Sequence, residues 1–168
     1  LALETVDARD RALALLLESA RHNLGAPRTT NLPSLPLELL HRRNEARFVI
    51  EQSSRDRVGA CEALRLDLQE TGRPTLIQRP SGGDMPSHVA AWGEVETGRL
   101  CKAEVRTRDG QHGVSNFEAI VAVDFAHDPG VGLTVPKRLR EVFLVPPRGA
   151  GEGEAVYSNY RQLIRASR

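Results

Sequence analysis

The fold is decided by the stretch ACEALRLDLQE, residues 60–70, in which apolar and polar side chains alternate. Leu64, Leu66 and Leu68 lie on one side of an extended chain, and charged or amide side chains lie on the other. Alternation over this length is typical of a strand with one face on a core and one face toward water. The stretch therefore predicts a half-buried strand of an antiparallel sheet.

Similar extended patterns fill most of the chain after Asn44, and they are joined by turns rather than by helices. SSRDR (53–57) and ETGR (96–99) are two such predicted turns. Because parallel strands need long crossovers, this order predicts an antiparallel meander of about seven strands. The predicted strands are 46–52, 60–70, 88–95, 100–108, 116–126, 137–145 and 154–165, while 73–80 lies between prolines and suits an edge or a loop strand.

Two helices are predicted before the strands. Residues 7–24 carry leucines and alanines at helical spacing, which indicates an amphipathic helix. Residues 34–43 predict a shorter helix, with Ser34 as the N-cap and Pro36 in its first turn. Its apolar side would consist of Leu35, Leu39 and Leu40.

These elements predict an α+β fold. Its curved antiparallel sheet would have the two N-terminal helices packed on one face, as in a half-barrel. Residues 1–44 would form the helical segment and residues 45–168 the sheet, together making one domain.

Composition places the chain among ordinary globular domains. Its 168 residues, of which 40% are hydrophobic and 27% charged, exclude wholesale disorder and are enough for a core. The net charge of +1 gives no attraction for nucleic acid. No stretch approaches the ~18–20 apolar residues of a membrane span. We therefore predict no nucleic-acid partner and no transmembrane segment.

The two cysteines do not predict a disulfide. Simple alternation places Cys61 on a polar face and Cys101 on an apolar one, so only a β-bulge would bring their sulfur atoms together. Their redox state is left open by the sequence.

Candidate catalytic and metal-binding residues do not form a recognisable site. His127, Asp128, Pro129 and Gly130 predict a turn. The other histidines, His22, His41, His88 and His112, lack the spacing of metal ligands. The glycine-rich stretches SGGD (81–84) and GAGEG (149–153) lack phosphate-loop spacing and predict loops. No nucleophile elbow surrounds Ser81, Ser115 or Ser158.

The remaining conspicuous side chains predict structural roles. Glu94, Glu96 and Glu104 would be solvated cross-strand partners of Arg99, Lys102 and Arg106. Trp92, the lone tryptophan, lies within a predicted strand, so we expect its ring to pack in the core rather than to serve as a platform for a ligand. We therefore expect no catalytic, metal-binding or cofactor-binding residue, no cofactor, and no enzymatic activity.

Several stretches, in order along the chain, resemble a family of uncharacterised bacterial exported proteins. They are ESARHNLG (18–25), RTTNLPSLPLELL (28–40), RNEARFVI (43–50), ETGRPTLIQRPSGGDMP (70–86), ETGRL (96–100), HDPGVGLTVPKRLREVF (127–143) and GEAVYSNYRQ (153–162). The family has no established activity to carry over. This chain departs from its pattern at Cys61, at Cys101 and over Gln111–Ser115.

The resemblance implies a periplasmic or exported protein whose precursor carries a signal peptide, and of which this chain is the C-terminal part. The strand arrangement is also similar to periplasmic lipoprotein-carrier and sigma-regulator proteins of the LolA/RseB type. Those proteins hold acyl chains between a curved sheet and its helices. We therefore expect a non-enzymatic domain that binds lipid or a lipidated partner in an apolar groove, the alternative being a structural or protein-interaction domain with a filled core.

Two further expectations concern the ends of the sheet. If upstream strands are missing, the chain would self-associate through an exposed sheet edge or be poorly stable. At the C-terminus, Tyr157 and Tyr160 in the predicted last strand would lie on opposite faces. One of them would pack inward with its hydroxyl on a partner, and the other would stand on the outer face.

Overall fold

A computed structural model describes residues 32–78, 82–108, 117–145 and 149–161. The predicted helix over 7–24 and the stretch Gln111–Ser115 lie outside these residues. The described chain begins with helix α1 (Leu35–Leu39) and a 3₁₀ helix (Arg42–Arg47). Seven strands follow: β1 (Phe48–Val58), β2 (Cys61–Glu70), β3 (Ser87–Glu94), β4 (Leu100–Arg108), β5 (Glu118–Asp128), β6 (Leu133–Val145) and β7 (Gly149–Val156).

The strands form one sheet in chain order, and each neighbouring pair is antiparallel. The sheet is open, so β1 and β7 are its two edges. This arrangement confirms the α+β fold and the seven-stranded meander. None of the described helices is long and apolar enough to cross a membrane.

The first hairpin is longer than predicted. SSRDR, predicted as a turn, continues β1, and its residues pair with Leu66–Glu62 of β2. The chain reverses instead at Gly59, whose φ of 59° belongs to the left-handed region that glycine adopts without strain. Polar residues are compatible with β1 because it is an edge strand and largely exposed.

One face of the sheet, which we call the inner face, carries the apolar core. In this core, small and β-branched side chains of the central strands pack against α1. Leu39 of α1 is buried against Val89 and Val105. The predicted apolar side of this helix is therefore confirmed. Other core residues of the inner face are Ala103, Val121, Val123, Phe125 and Leu139.

Helix α1 is shorter than the predicted span 34–43. It ends at Leu39, and a 3₁₀ turn begins at Arg42. Pro36 occupies the first turn as expected, but Ser34 makes no side-chain capping hydrogen bond.

The loop between β2 and β3 is built around buried polar groups. The described part of the predicted segment 73–80, residues 73–78, does not form a strand, since its only pairing is an isolated bridge between Gln78 and Asp84. The Glu70 carboxylate accepts the backbone N–H groups of Leu76 at 2.7 Å and Ser87 at 3.1 Å. Asp84 accepts the backbone N–H of Thr75 at 2.7 Å. In the described part of the loop, these hydrogen bonds satisfy backbone N–H groups that have no partner in a strand ladder.

The C-terminal strand lies earlier than predicted. GAGEG (149–153), predicted as a loop, begins β7, which ends at Val156. Gly153 faces a large side chain of β6, since a Cβ at this position would lie 2.5 Å from Glu141 Oε1. Glycine is required at this position by a close cross-strand approach rather than by a turn.

The two tyrosines lie beyond the last strand, so their predicted alternation is wrong. Tyr157 packs against the inner-face core. Tyr160 donates its hydroxyl to the carbonyl oxygen of Pro136 at 2.5 Å, and the Lys137 ammonium lies 5.4 Å from its ring. Both therefore fasten the C-terminal segment to β6.

Candidate functional site

A disulfide joins Cys61 on β2 to Cys101 on β4 across the intervening strand β3. The register explains why simple alternation gave the wrong result. Trp92 pairs with Lys102 but the next residue, Gly93, pairs with Leu100, so Cys101 is the extra residue of a β-bulge. The bulge turns its sulfur toward Cys61, with the two Cα atoms 6.6 Å apart.

The same bulge brings Leu100 onto the inner face, where it packs against the core. Leu100 then lies opposite Gly93, which lies opposite Leu64 on β2. A Cβ built on Gly93 would have only the carbonyl oxygen of Gly98, at 3.9 Å, within 4 Å. The middle of this row therefore has open space above it.

The inner face is apolar but partly uncovered on the β1–β2 side. Leu68 packs against the core, whereas Leu64, on the same face nearer the hairpin tip, is 42% exposed. On the adjoining strand, Ile50 is 63% exposed and pairs with Leu68. We call the set Ile50, Leu64, Leu66, Gly93 and Leu100 the inner apolar strip.

A cleft of about 560 Å³ adjoins the strip at the hairpin end of the sheet. The β1–β2 and β5–β6 hairpins both extend past the turn that joins β3 to β4, and the cleft lies between them. Leu100 belongs to both the strip and the cleft lining. The other lining residues include Val58, Cys61, Phe125, His127 and Thr134 as well as the charged Glu94, Arg99 and Asp124. A volume in this range is ordinary for a small-ligand site.

The opposite, outer face carries charged side chains around Trp92. The guanidinium of Arg65 lies 5.0 Å from the Trp92 ring, and the ammonium of Lys102 lies 4.8 Å from it. The indole N–H donates to Asp56 Oδ2 at 2.8 Å. Trp92 is only 6% exposed and packs in a cluster with Ala63 and Ala90, so its predicted place in the core is confirmed, with the two cations as additional neighbours of its ring.

The hydrogen bond from Trp92 is the main reason why the pKa of Asp56 lies below its ordinary value of 3.8, followed by the backbone N–H of Arg57. A carboxyl group whose pKa is lower in the folded protein than in the unfolded one stabilises the fold at pH values above its unfolded-state pKa. That contribution is lost as the pH falls through the lower folded-state pKa.

We expect the stability difference between the wild type and Asp56→Asn to shrink below pH 3.8. Above that pH only the wild type has a charged acceptor for the indole, whereas in acid both side chains are neutral. Urea unfolding at several pH values, followed by the fluorescence of the lone tryptophan, measures the difference. A difference that stays constant across the acid range would show that Asp56 does not titrate against the indole.

The predicted turn residues have structural partners. His127 and Asp128 end β5, and the turn follows them. Asp128 accepts the backbone N–H of Gly130 at 3.0 Å and pairs with Lys137 at 3.1 Å, and these contacts lower its pKa, Lys137 most strongly. The turn prediction is confirmed.

The histidines do not converge. His41 caps the 3₁₀ helix, His88 lies 3.5 Å from Glu51 on the outer face, and His127 lines the cleft. His22 and His112 lie outside the described residues. Within the described ranges, no three His, Cys, Asp or Glu side chains form a group that could hold a metal ion.

The predicted ion pairs of the β3–β4 hairpin are only partly present. Glu104 pairs with Arg106 on its own strand, and Arg106 also approaches Glu118 of β5. Glu94 instead accepts the Thr97 hydroxyl within the turn. A partner for Glu96 is not found among the described residues.

The inner apolar strip was missed by the sequence reading, although one signal points to it. Gly93 stands inside a predicted strand, and an isolated glycine there indicates a bulge or a close approach.

Comparison with known proteins does not assign a role to the strip or the cleft: no protein-family model, no curated protein and no solved structure matches the chain.

Proposed function

We propose that this chain is a non-enzymatic, exported binding domain that holds the apolar chain of a lipid or of a lipidated partner on the inner face of its sheet. The observation that carries the proposal is the row Leu64, Gly93 and Leu100. Two leucines on strands β2 and β4 flank a glycine that leaves open space between them.

The strip has the chemistry that an acyl chain requires. Its side chains are aliphatic and partly exposed, so covering them removes apolar surface from water. The strip leads into the cleft through Leu100, which gives a chain of methylene groups room to continue. A lipid is the occupant that fits best, because recognition would rest on apolar contact along a row rather than on polar groups converging on one point.

The disulfide supports an exported location. Disulfides persist in oxidising compartments such as the periplasm and the extracellular space, and they are rare in reducing ones. Thiol labelling of the protein in intact cells tests this part of the proposal. Blocked Cys61 and Cys101 are expected, and free thiols would contradict it.

The function is tested by binding of dansyl-undecanoic acid to the purified 168-residue chain. We expect saturable binding that Leu64→Arg weakens by roughly tenfold or more, since a charged side chain replaces the apolar contact between Leu64 and the probe. Gly93→Val fills the open space and should weaken binding similarly, while a β-branched residue remains acceptable in a strand.

The matched control is Leu133→Arg, which changes an exposed leucine outside the strip and the cleft lining. It should bind the probe like the wild type. If all three variants change binding equally, binding of the probe does not depend on the strip and is nonspecific adsorption. If the wild type does not bind the probe, the lipid proposal is refuted.

The second candidate is a structural or protein-interaction domain. It is favoured by the filled contact between α1 and the sheet, where Leu39, Val89 and Val105 are almost completely buried. A chain that binds no fatty-acid probe and carries no lipid when it is purified from its host would support this candidate.

A further inference from the structure

Strand β1 is the longer of the two edge strands of the described sheet. Its eleven residues pair with β2 on one side, and no described strand lies on the other. Most of its side chains are exposed, including Val49 at 48%. Such an edge presents a row of backbone N–H and C=O groups that can add a further strand.

The other edge is a poorer template. Strand β7 has eight residues, and glycines occupy three of its first five positions. Glycine gives a new neighbour no side chain to pack against and weakens a strand. An added strand is therefore expected at β1.

We propose that β1 pairs with β1 of a second copy of this chain, antiparallel and about a twofold axis at Ser54. The two sheets would join into one continuous sheet. This inference does not depend on the proposed function.

The register follows from the faces of β1. Opposed residues of an antiparallel pair share a face, and Glu51 is the extra residue of a bulge, since Ile50 pairs with Leu68 and Gln52 with Asp67. With a twofold axis at Ser54, the two residues of each opposed pair lie on the same face of the joined sheet. The opposed pairs are then Ser53 with Arg55, Gln52 with Asp56, Ile50 with Arg57, and Val49 with Val58.

This register is self-complementary. It opposes no two like charges, it joins two valines, and it lets the Gln52 amide donate to Asp56. Arg55 also gains a polar neighbour, since among the described residues it takes part in no ion pair. An axis at Arg55 would instead oppose two guanidinium groups, which destabilises a sheet.

An axis at Ser53 also keeps the faces but fits less well. It would place Val49 opposite Asp56 and Phe48 opposite Arg57. Together with Ile50 opposite Arg55, this makes three opposed pairs of an apolar and a charged side chain, whereas the Ser54 axis has one, Ile50 with Arg57. The Ser54 axis is therefore the favoured arrangement.

Two substitutions at one exposed position test the proposal. In the Ser54 register, Ser53→Glu creates two Glu–Arg55 pairs per dimer, and Ser53→Arg creates two Arg–Arg55 contacts. We expect the dimer dissociation constant to fall roughly 3- to 10-fold in Ser53→Glu and to rise by a similar factor in Ser53→Arg. Sedimentation equilibrium of the 168-residue chain measures both constants.

The design also checks the register and the fold. An axis at Ser53 would oppose like charges in both variants, so weakening by both would overturn the Ser54 register. A wild type that stays monomeric up to about 1 mM would overturn the dimer. At concentrations at which both variants are monomeric, their thermal melts should agree, because position 53 is exposed in the monomer.

Discussion

Replacing both Cys61 and Cys101 by serine is expected to lower the free energy of unfolding by about 4 kcal/mol. The disulfide closes a loop with a sequence separation of 40 residues, which contains β2, β3 and the long loop between them. Without it, the unfolded chain gains conformational entropy that the folded chain does not. Urea unfolding followed by tryptophan fluorescence gives the difference.

The wild type in excess dithiothreitol is the control for this experiment. It should unfold at the same urea concentration as the double variant, because both lack the cross-link. The slope of the unfolding free energy against urea is expected to rise in both, as a more open unfolded state exposes more surface. If the wild type unfolds at the same urea concentration with and without dithiothreitol, the disulfide does not stabilise the fold.

The second large effect is expected from Glu70→Ala, which should cost about 3 kcal/mol. The carboxylate is 2% exposed and accepts the N–H groups of Leu76 and Ser87 from both ends of the β2–β3 loop. Alanine leaves these two donors without an acceptor in a buried place. Each unsatisfied buried donor costs about 1–3 kcal/mol. Local opening of the loop exposes these donors to water, so we expect the loop to open more often in this variant. Hydrogen exchange over residues 71–86 measures that opening.

Two variants separate this effect from a general loss of charge. Glu70→Gln keeps one oxygen acceptor and should lose about half as much stability. Glu62→Ala removes a carboxylate from the exposed end of the same strand, where its partner is Arg57 in an exposed ion pair. Such pairs contribute at most about 1 kcal/mol, so this variant should resemble the wild type. Equal losses in Glu62→Ala and Glu70→Ala would contradict the buried role of Glu70.

The two predictions bear on function because both features shape the inner face. The disulfide holds the bulge that directs Leu100 into the inner apolar strip, and Glu70 anchors the loop that carries Ile77 and Met85 into the core beside α1. A reduced chain is therefore expected to bind an acyl probe more weakly than the oxidised one if the lipid proposal is correct.

Much of the fold could be predicted from residue patterns. Alternation in 60–70 and 100–108 placed β2 and β4 within one residue of their observed ends, because a half-buried strand exposes every second side chain. The predictions failed where pairing partners decide the conformation. SSRDR is a strand because β2 pairs with it, and GAGEG is a strand because β6 pairs with it.

The candidate site depended even more on pairing. A bulge shifts register by one residue and so moves side chains to the opposite face. No local pattern specifies which residue of β4 is the extra one, and that choice brings Cys101 to Cys61 and Leu100 to Gly93. Predicted alternation alone therefore separated the two cysteines and missed the strip.

By itself, the sequence determined the periodicity of the strands, the short connections that make the sheet antiparallel, and the apolar side of α1. Each of these depends on neighbours within a few residues along the chain. Only the tertiary structure decided the disulfide, the hydrogen bonds of Glu70 to the N–H groups of Leu76 and Ser87, and the contacts of Trp92 with Arg65 and Lys102. These contacts join residues 6 to 40 positions apart, and the register of the sheet selects which of the more distant ones meet.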